Sequence, residues 1–592
     1  MSDPDSATPH AEHVAESIAT PPPDQKTTAT SSYAQSIKWW AAVGSCIFLY
    51  SISLAAYMCL VSLTSIINAD VGPDESYTWI APAWTVAAGT GMVVAGALSD
   101  VLGRRWFCIG TGLTGILAAI IGGVAPNVPT VIVSFVFLGL NQAGAVNSFA
   151  AVAELVARKH RGYIIGAMNE SAVFWVVCGS YFGRRMTIDT DPSWRSIYWM
   201  ILVCNVVGTV VLFFTYYPQT PLAIAHGHSY KNWADFDWIG LAGVIIGPTL
   251  FLVGVINIPN YSSTDAHFLA PFISGTICIL LLGWYEGWMA RQPLLHPFLF
   301  RRWRTFTAIL VVAFVGGMLF YSLQSWFPAY LEMVLGEDAI QVGIDTMPLN
   351  AGTNIGGVGS AVLLPILGPR IGTTPMLVLG VALQFVFIPL MCVPGITGRG
   401  AALAISTLGG IGIGIVELLS ILLVTLATPD EWIGFATGSL GLLRCMGGAT
   451  GTAIYSAILL SKSKTLVPQY VSDAVLRWRL SEASTAQLTG ILTGAVPGDP
   501  MSVDGVTPAI VEAAQIAVRE AYRKSFSYIW LSSIAFAVIS LGCALGTKDL
   551  SSALTLDVAQ RLQDSNTEKD EEAGSALHME VVDVKNTAKE QD

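Results

Sequence analysis

Charge is scarce in this sequence. Asp, Glu, Lys and Arg make up 12% of 592 residues against 53% apolar residues, where a soluble domain carries about 25% charge. With a mean hydropathy of +0.59, that scarcity excludes a water-soluble globular protein of this length. The net charge of −11 sits largely in the tails and the last long loop, so no basic face is available for nucleic acid. Cysteine is sparse and scattered. All nine (46, 59, 108, 178, 204, 278, 392, 445, 543) lie in or beside apolar runs without metal-ligand spacing, and read as small hydrophobes rather than a disulfide framework. The eight histidines fall in tails, loops or helix ends. His226 and His228 are the closest pair, with no acid or cysteine set beside them, so no metal, no cofactor and no enzymatic activity are expected. No cleavable signal or transit peptide is visible, because residues 1–37 are polar and rich in Ser, Thr and Pro, with several acids.

What is abundant is apolar length. Runs of about 20 apolar residues match roughly 30 Å of hydrocarbon. They predict fourteen helices near 40–67, 77–98, 105–124, 128–150, 163–183, 196–216, 238–257, 268–287, 305–327, 341–363, 372–393, 401–426, 433–459 and 525–547. Basic residues set the orientation. With a cytoplasmic N-terminus the inner loops hold Arg104, Arg105, Arg158, Lys159, Arg161, Lys231, Arg291, Arg301, Arg302, Arg304 and Arg370. The short outer loops hold only Arg184, Arg185, Arg195 and Arg399, in accord with the positive-inside rule. An even helix count then puts both tails in the cytoplasm. The segment 460–524 is expected outside, with an amphipathic helix near 508–524, and the outer sequon Asn260-Tyr-Ser262 is a glycosylation candidate.

One turn between two long apolar runs organises the first half: Gly96-Ala-Leu-Ser-Asp100-Val-Leu-Gly103-Arg104-Arg105. Gly96 and Gly103 suit a tight reversal and close helix approach. Asp100 suits a helix N-terminus, and Arg104 and Arg105 suit the headgroup level. An internal repeat accompanies it. A shift of about 270 residues lays Gly139 and Gly144 on Gly409 and Gly414, and Asn147 on Glu417. A shift of about 265 lays the turn on Pro365-Ile-Leu-Gly368-Pro-Arg370, without its Asp. Parallel six-helix halves follow. The implied layout is a disordered cytoplasmic N-tail 1–37, a bundle 38–216, inserted helices and linkers 217–304, a second bundle 305–547 and a disordered cytoplasmic C-tail 548–592.

The turn resembles the G-x-x-x-D-x-x-G-R-R signature of the major facilitator superfamily, as a conformational-switch loop, although a plain positive-inside anchor would use the same arginines. Ile67-Asn-Ala-Asp-Val-Gly72, Tyr77-Thr-Trp-Ile80, Asp237-Trp-Ile-Gly240 and Gly317-Met-Leu-Phe-Tyr-Ser322 resemble the fungal fourteen-helix drug:proton antiporter branch that includes the trichothecene efflux pump family. His296-Pro-Phe-Leu-Phe300 and Gly447-Gly-Ala-Thr-Gly451 do the same, over roughly residues 40–547. The resemblance implies an all-α polytopic membrane protein of the major facilitator fold, with two six-helix bundles plus two inserted central helices. There are departures. Gly139-Leu-Asn-Gln-Ala-Gly144 lacks the arginine common in helix 4 of proton-coupled members, G-P-x-x-G-G survives only as Gly179-Ser-Tyr-Phe-Gly183, and helix 1 carries no embedded Asp.

Charges inside the spans are costly unless they face a wet cavity or a partner. Glu170, Glu417 and Arg444 are the proton-coupling candidates; Glu417 and Arg444 would alternatively form a permanent structural pair. Glu154 and Asp345 fall near helix ends and read as interfacial. A substrate site is expected near the midplane between the halves. Its candidates in the first half are Asn141, Gln142, Asn147 and Trp175. In the second half they are Phe320, Tyr321, Gln324, Asn350 and Asn354, with Trp326 reading as an aromatic-belt residue. Aromatic faces with amide anchors suit bulky, partly apolar organic molecules.

The function these features imply is a monomeric multidrug-type efflux pump of the fungal plasma membrane, or alternatively the vacuolar membrane. It would export a toxic secondary metabolite or xenobiotic by proton antiport and alternating access. The alternative is proton-driven uptake of siderophore-bound iron. A sensor that has lost transport is the third reading, against which the short tails argue.

Overall fold

The computed structural model describes residues 37–218, 237–258, 265–290, 297–429 and 432–554 apart from short gaps, the longest 494–497. The sequon at Asn260, His226, His228, Lys231, Arg291 and most of both tails lie outside the described residues, as do the side chains of Asp100 and Arg184.

A bilayer offers no partners for backbone N–H and C=O groups, so each apolar run closes its hydrogen bonds within itself as a helix. The helices are α1 Ile37–Val61, α2 Ile80–Leu102, α3 Arg104–Gly123, α4 Val128–Leu155, α5 Arg161–Glu170, α6 Val173–Asp189 and α7 Arg195–Thr215. Then come α8 Trp238–Asn257, α9 Ala266–Trp288, α10 Ala308–Tyr330, α11 Ala339–Ile371, α12 Thr373–Leu390, α13 Arg399–Ala427, α14 Ile433–Val475, α15 Glu482–Leu492 and α16 Pro508–Gly546. Twelve of the described helical stretches are long and apolar enough to cross a membrane. Two runs expected to span fall outside that set. One is split into α5 and α6 at Ser171, where the Ser171 hydroxyl donates to the Met168 carbonyl (2.6 Å) and Ser51 of α1 donates to the Ser171 carbonyl (2.7 Å). The other is α14, whose apolar part is diluted by Arg444 and the Gly- and Thr-rich stretch that follows it.

The helices pack in two like groups. In the first, α4 packs on α2 and α3, and α7 on α1 and α3; in the second, α13 packs on α11 and α12, and α16 on α10 and α12. The hairpin α8–α9 packs against α2 and α14. Only 11% of the apolar window of α9 is buried against 78% for α13, so α9 is peripheral and α13 central.

The repeat is real in packing, but its register differs from the sequence alignment. Gly103 closes the first-half turn at φ +98°, and the corresponding left-handed glycine is Gly372 at φ +85°, not Gly368. Only a residue without Cβ takes this φ cheaply, so the backbone marks the equivalence better than letters do. In the bundle, a Cβ on Gly139 would press on the Trp84 carbonyl and Ala88 N–H, and one on Gly410 on those of Leu349 and Thr353. The shift is therefore 271, which pairs Val146, not Asn147, with Glu417.

Three other expectations are corrected. The segment 460–524 is a helical cap rather than a loop: α14 and α16 run on past the bundle and enclose a small core of Val467, Val471, Val475, Leu488, Ile510, Ala514 and Val518. The C-tail is not free from 548. Asp549 accepts from the Thr373 N–H (2.7 Å) at the start of α12, and the Lys548 N–H donates to the Arg304 carbonyl (2.8 Å), so the chain is strapped down through 554. Hydrogen bonds explain the strap's electrostatics: burial pushes the Asp549 carboxyl up, but Ser551 and Thr373 donors outweigh it and hold the group at about 2. Finally, Arg104 is not at the headgroups but buried, as described next.

Candidate functional site: a cavity between the two halves

On the side of the Gly103 turn, the halves are pressed together. A Cβ on Gly96 of α2 would lie 2.1 Å from the Gly434 carbonyl oxygen at the start of α14, and Met92 fills the notch at Gly438 and Gly441. Arg161, buried at the start of α5, donates to the Ala153 carbonyl (2.7 Å) at the end of α4 and across to the Thr425 carbonyl (3.2 Å) at the end of α13. A guanidinium between two helix C-termini meets both negative dipole ends. Behind this seal, Arg104 pairs with Glu154 (2.5 Å), both side chains about 5% exposed. Its other arm donates to Ser99 (2.6 Å), which also accepts from Asn147 (2.8 Å). Arg105 instead caps α7, donating to the carbonyls of Phe213 (2.9 Å) and Tyr216 and stacking over Tyr217 at 3.5 Å. Glu154 is thus near a helix end as expected but buried in a pair, and so is Asp345, which accepts from Arg399 (2.5 Å) at the opposite side.

Beyond the seal lies a cavity bounded by both halves, with about 130 Å³ open to the centres of water-sized spheres. That is room for a handful of waters. Its floor is where Gly89 of α2 crosses Cys445 of α14. The first half contributes an aromatic wall: Tyr50, Tyr57, Trp84 and Phe149, with Tyr57 stacked on Trp84 at 3.9 Å. The second half contributes amides and the charges. Gln324 donates to Asn350 (2.6 Å), whose carbonyl accepts from Asn354 (2.8 Å). Glu417 of α13 pairs with Arg444 of α14, both side chains part-exposed to the cavity. The pair is held in place by close helix crossing: a Cβ on Gly317 of α10 would lie 2.3 Å from the Arg444 carbonyl, and Gly448 leaves room for the Tyr321 ring.

The sequence candidates divide accordingly. Gln142, Phe320, Tyr321, Gln324, Asn350, Asn354, Glu417 and Arg444 line the cavity. Asn141 does not; it donates to the Thr111 carbonyl (2.7 Å) between α3 and α4. Asn147 belongs to the Ser99 network, and Trp175 packs with Phe174 and Phe182. Glu170 is exposed on a different face of α5 from the cavity-lining Asn169. Sequence reasoning missed Tyr50, Tyr57, Trp84, Phe149 and Asn169. Spacing would have found some: Tyr50, Leu54 and Tyr57 recur at i, i+4, i+7 on one face of α1.

Two like-packed helical groups with a cavity at their junction and a part-exposed ion pair in its wall define a membrane carrier of the major facilitator fold. The solved structure of the human organic anion transporter MFSD10 shares that fold, with a TM-score of 0.51 at 12% identity, covering 85% of this chain and all of that one. The chain belongs to the fungal trichothecene efflux pump (TRI12) family, whose profile matches residues 26–589. Among its relatives, the trichothecene efflux pump TRI12 of Fusarium sporotrichioides is 26% identical over 514 residues, 85% of this chain and 84% of the relative. The pump of the same name from Trichoderma arundinaceum is 26% identical over 528 residues, 86% of each chain. The MFS-type transporter prx5 of Penicillium rubens is 24% identical over 517 residues, 86% of this chain and 90% of the relative.

Proposed function

We propose that this protein is a proton-coupled efflux carrier that expels a small toxic organic metabolite across the plasma membrane by alternating access. The reading takes α5–α6 and α14 as spans, giving fourteen, with the Gly103 turn and both tails cytoplasmic and one chain as the working unit. The observation that carries it is the Glu417–Arg444 pair in the wall of a cavity bounded by both halves. The relatives' names support export of secondary metabolites.

The residues suggest how coupling would work. A proton and a hydroxyl donor on the substrate compete for the same Glu417 carboxylate oxygens. Substrate loads while the carboxylate is free and paired with Arg444, and a proton arriving from the far side displaces it. Tyr57 and Trp84 offer flat apolar contact, while Gln324, Asn350 and Asn354 offer hydrogen bonds to substrate oxygens.

The test uses purified full-length protein in sealed vesicles with an imposed pH difference. An outward-type flux of a hydroxylated sesquiterpenoid should follow the gradient and vanish in Glu417→Gln, while binding of the compound persists. Flux indifferent to the gradient in wild type refutes coupling. Flux of a ferric hydroxamate chelate instead of the organic compound would replace export with iron-chelate uptake.

A further inference from the structure

Basic residues gather where they are least expected. With the Gly103 turn cytoplasmic, the opposite ends of the spans should be poor in Lys and Arg, yet there α14 carries Lys462 and Lys464 and α16 carries Arg519, Arg523 and Lys524. The acid set among them, Glu520, is taken by Arg523 (2.8 Å). Among the described residues no carboxylate pairs with Lys462, Lys464 or Lys524.

Two of these ammonium groups converge. Where α14 and α16 pack together, Lys462 Nζ lies 4.8 Å and Lys524 Nζ 5.9 Å from the centre of the same Tyr528 ring, and all three side chains are exposed. The negative face of the ring offsets part of the repulsion between the two cations, and an anion between them would offset the rest. Tyr528 also stands where the apolar part of α16 begins. Lys524, Tyr528, Leu531, Ala535 and Val538 recur at helical spacing and form one exposed face, and Leu460 is exposed beside Lys462 on α14. An aromatic ring with a polar tip at such a point marks the headgroup level, with acyl chains directly below.

We propose that Lys462, Lys524 and Tyr528 hold the phosphate of an anionic phospholipid in the leaflet opposite the Gly103 turn, with its acyl chains along the face from Leu531 to Val538. Each ammonium donates to a phosphate oxygen, as a compact point charge does without demanding a fixed angle. The site selects an anionic over a zwitterionic lipid, because a choline group would bring a third cation to the two lysines. It rests on α14 being a span, and not on transport or on proton coupling at Glu417.

Photocrosslinking tests it, with full-length protein in phosphatidylcholine nanodiscs doped with phosphatidylinositol that carries a diazirine in its acyl chain. Peptide mass spectrometry should place adducts at Leu460 and from Leu531 to Val538. The same probe built on phosphatidylcholine should label this face about fivefold less, and Lys462→Gln or Lys524→Gln should each lower the phosphatidylinositol adducts about fivefold, the share of one lysine at an anionic surface. The double replacement Lys462→Arg with Lys524→Arg should keep most of the labelling, as should Lys548→Gln at the other membrane face. Adducts indifferent to the two lysines, or equal labelling by the two probes, overturn the site; suppression by inorganic phosphate assigns it to a soluble anion and overturns the lipid. Absence of adducts on α14 with those on α16 intact refutes the span, whereas undiminished adducts on both helices in the Gln variants refute the lipid site alone.

Discussion

Replacing Gly96 with alanine should wedge open the seal on the turn side. The new methyl would sit 2.1 Å from the Gly434 carbonyl oxygen and 2.8 Å from its carbon. Ordinary contact needs α2 and α14 to separate by about 1.2 Å there. Both atoms it meets are backbone, so no rotamer change relieves the clash, and overpacking of this kind costs about 1–3 kcal/mol. The cost falls only on the conformation in which the halves touch on this side. It therefore shifts the equilibrium towards the opposite-facing state by about 5- to 150-fold. The assay is the rate at which a membrane-impermeant thiol reagent, applied from the turn side, modifies a cysteine placed at Thr437 in the cavity wall, in a background without the native cysteines. The rate should rise with Gly96→Ala and with Gly438→Ala, whose methyl would press on the Met92 carbonyl, while the thermal midpoint moves little. Unchanged labelling in both variants would refute the claim that this crossing is the closed gate.

Glu154→Ala should be the most destabilising single change on the turn side. It takes the carboxylate away from the buried Arg104 guanidinium, and breaking a buried pair costs about 3–5 kcal/mol; thermal unfolding in detergent reads it, and Glu154→Gln, which keeps an acceptor, should recover a good part. Asp549→Ala should loosen the C-terminal strap, seen as faster proteolysis after Gly546. Because the carboxyl lies at about 2 in place of 3.8, its contribution is fully present above the ordinary value and fades as pH falls through about 2. The group is exposed, so screening keeps that contribution to no more than about 1 kcal/mol. The difference between variant and wild type should therefore be constant from pH 5 to 8 and shrink below about pH 4.

Apolar run length, the positive-inside bias and the Gly96–Arg105 turn were enough to read a helical membrane carrier of two repeated halves, because each is a local property of the chain. Glu417 and Arg444 stood out for the same reason, being charges in otherwise apolar runs. Partnership was legible only as an alternative, the pairing of Glu417 with Arg444. That these two do meet, that Glu154 neutralises Arg104, and that Glu170 faces away from the cavity depend on helix rotation and on contacts between residues dozens to hundreds apart. The aromatic wall was hidden for another reason: Tyr50, Tyr57 and Trp84 look like any belt or packing aromatics until two helices from one half are laid against the other. The repeat shows the division most clearly. Its existence is written in spacing, but its register was decided by where the backbone turns left-handed, at Gly103 and Gly372, and by which glycine lets α13 close on α11.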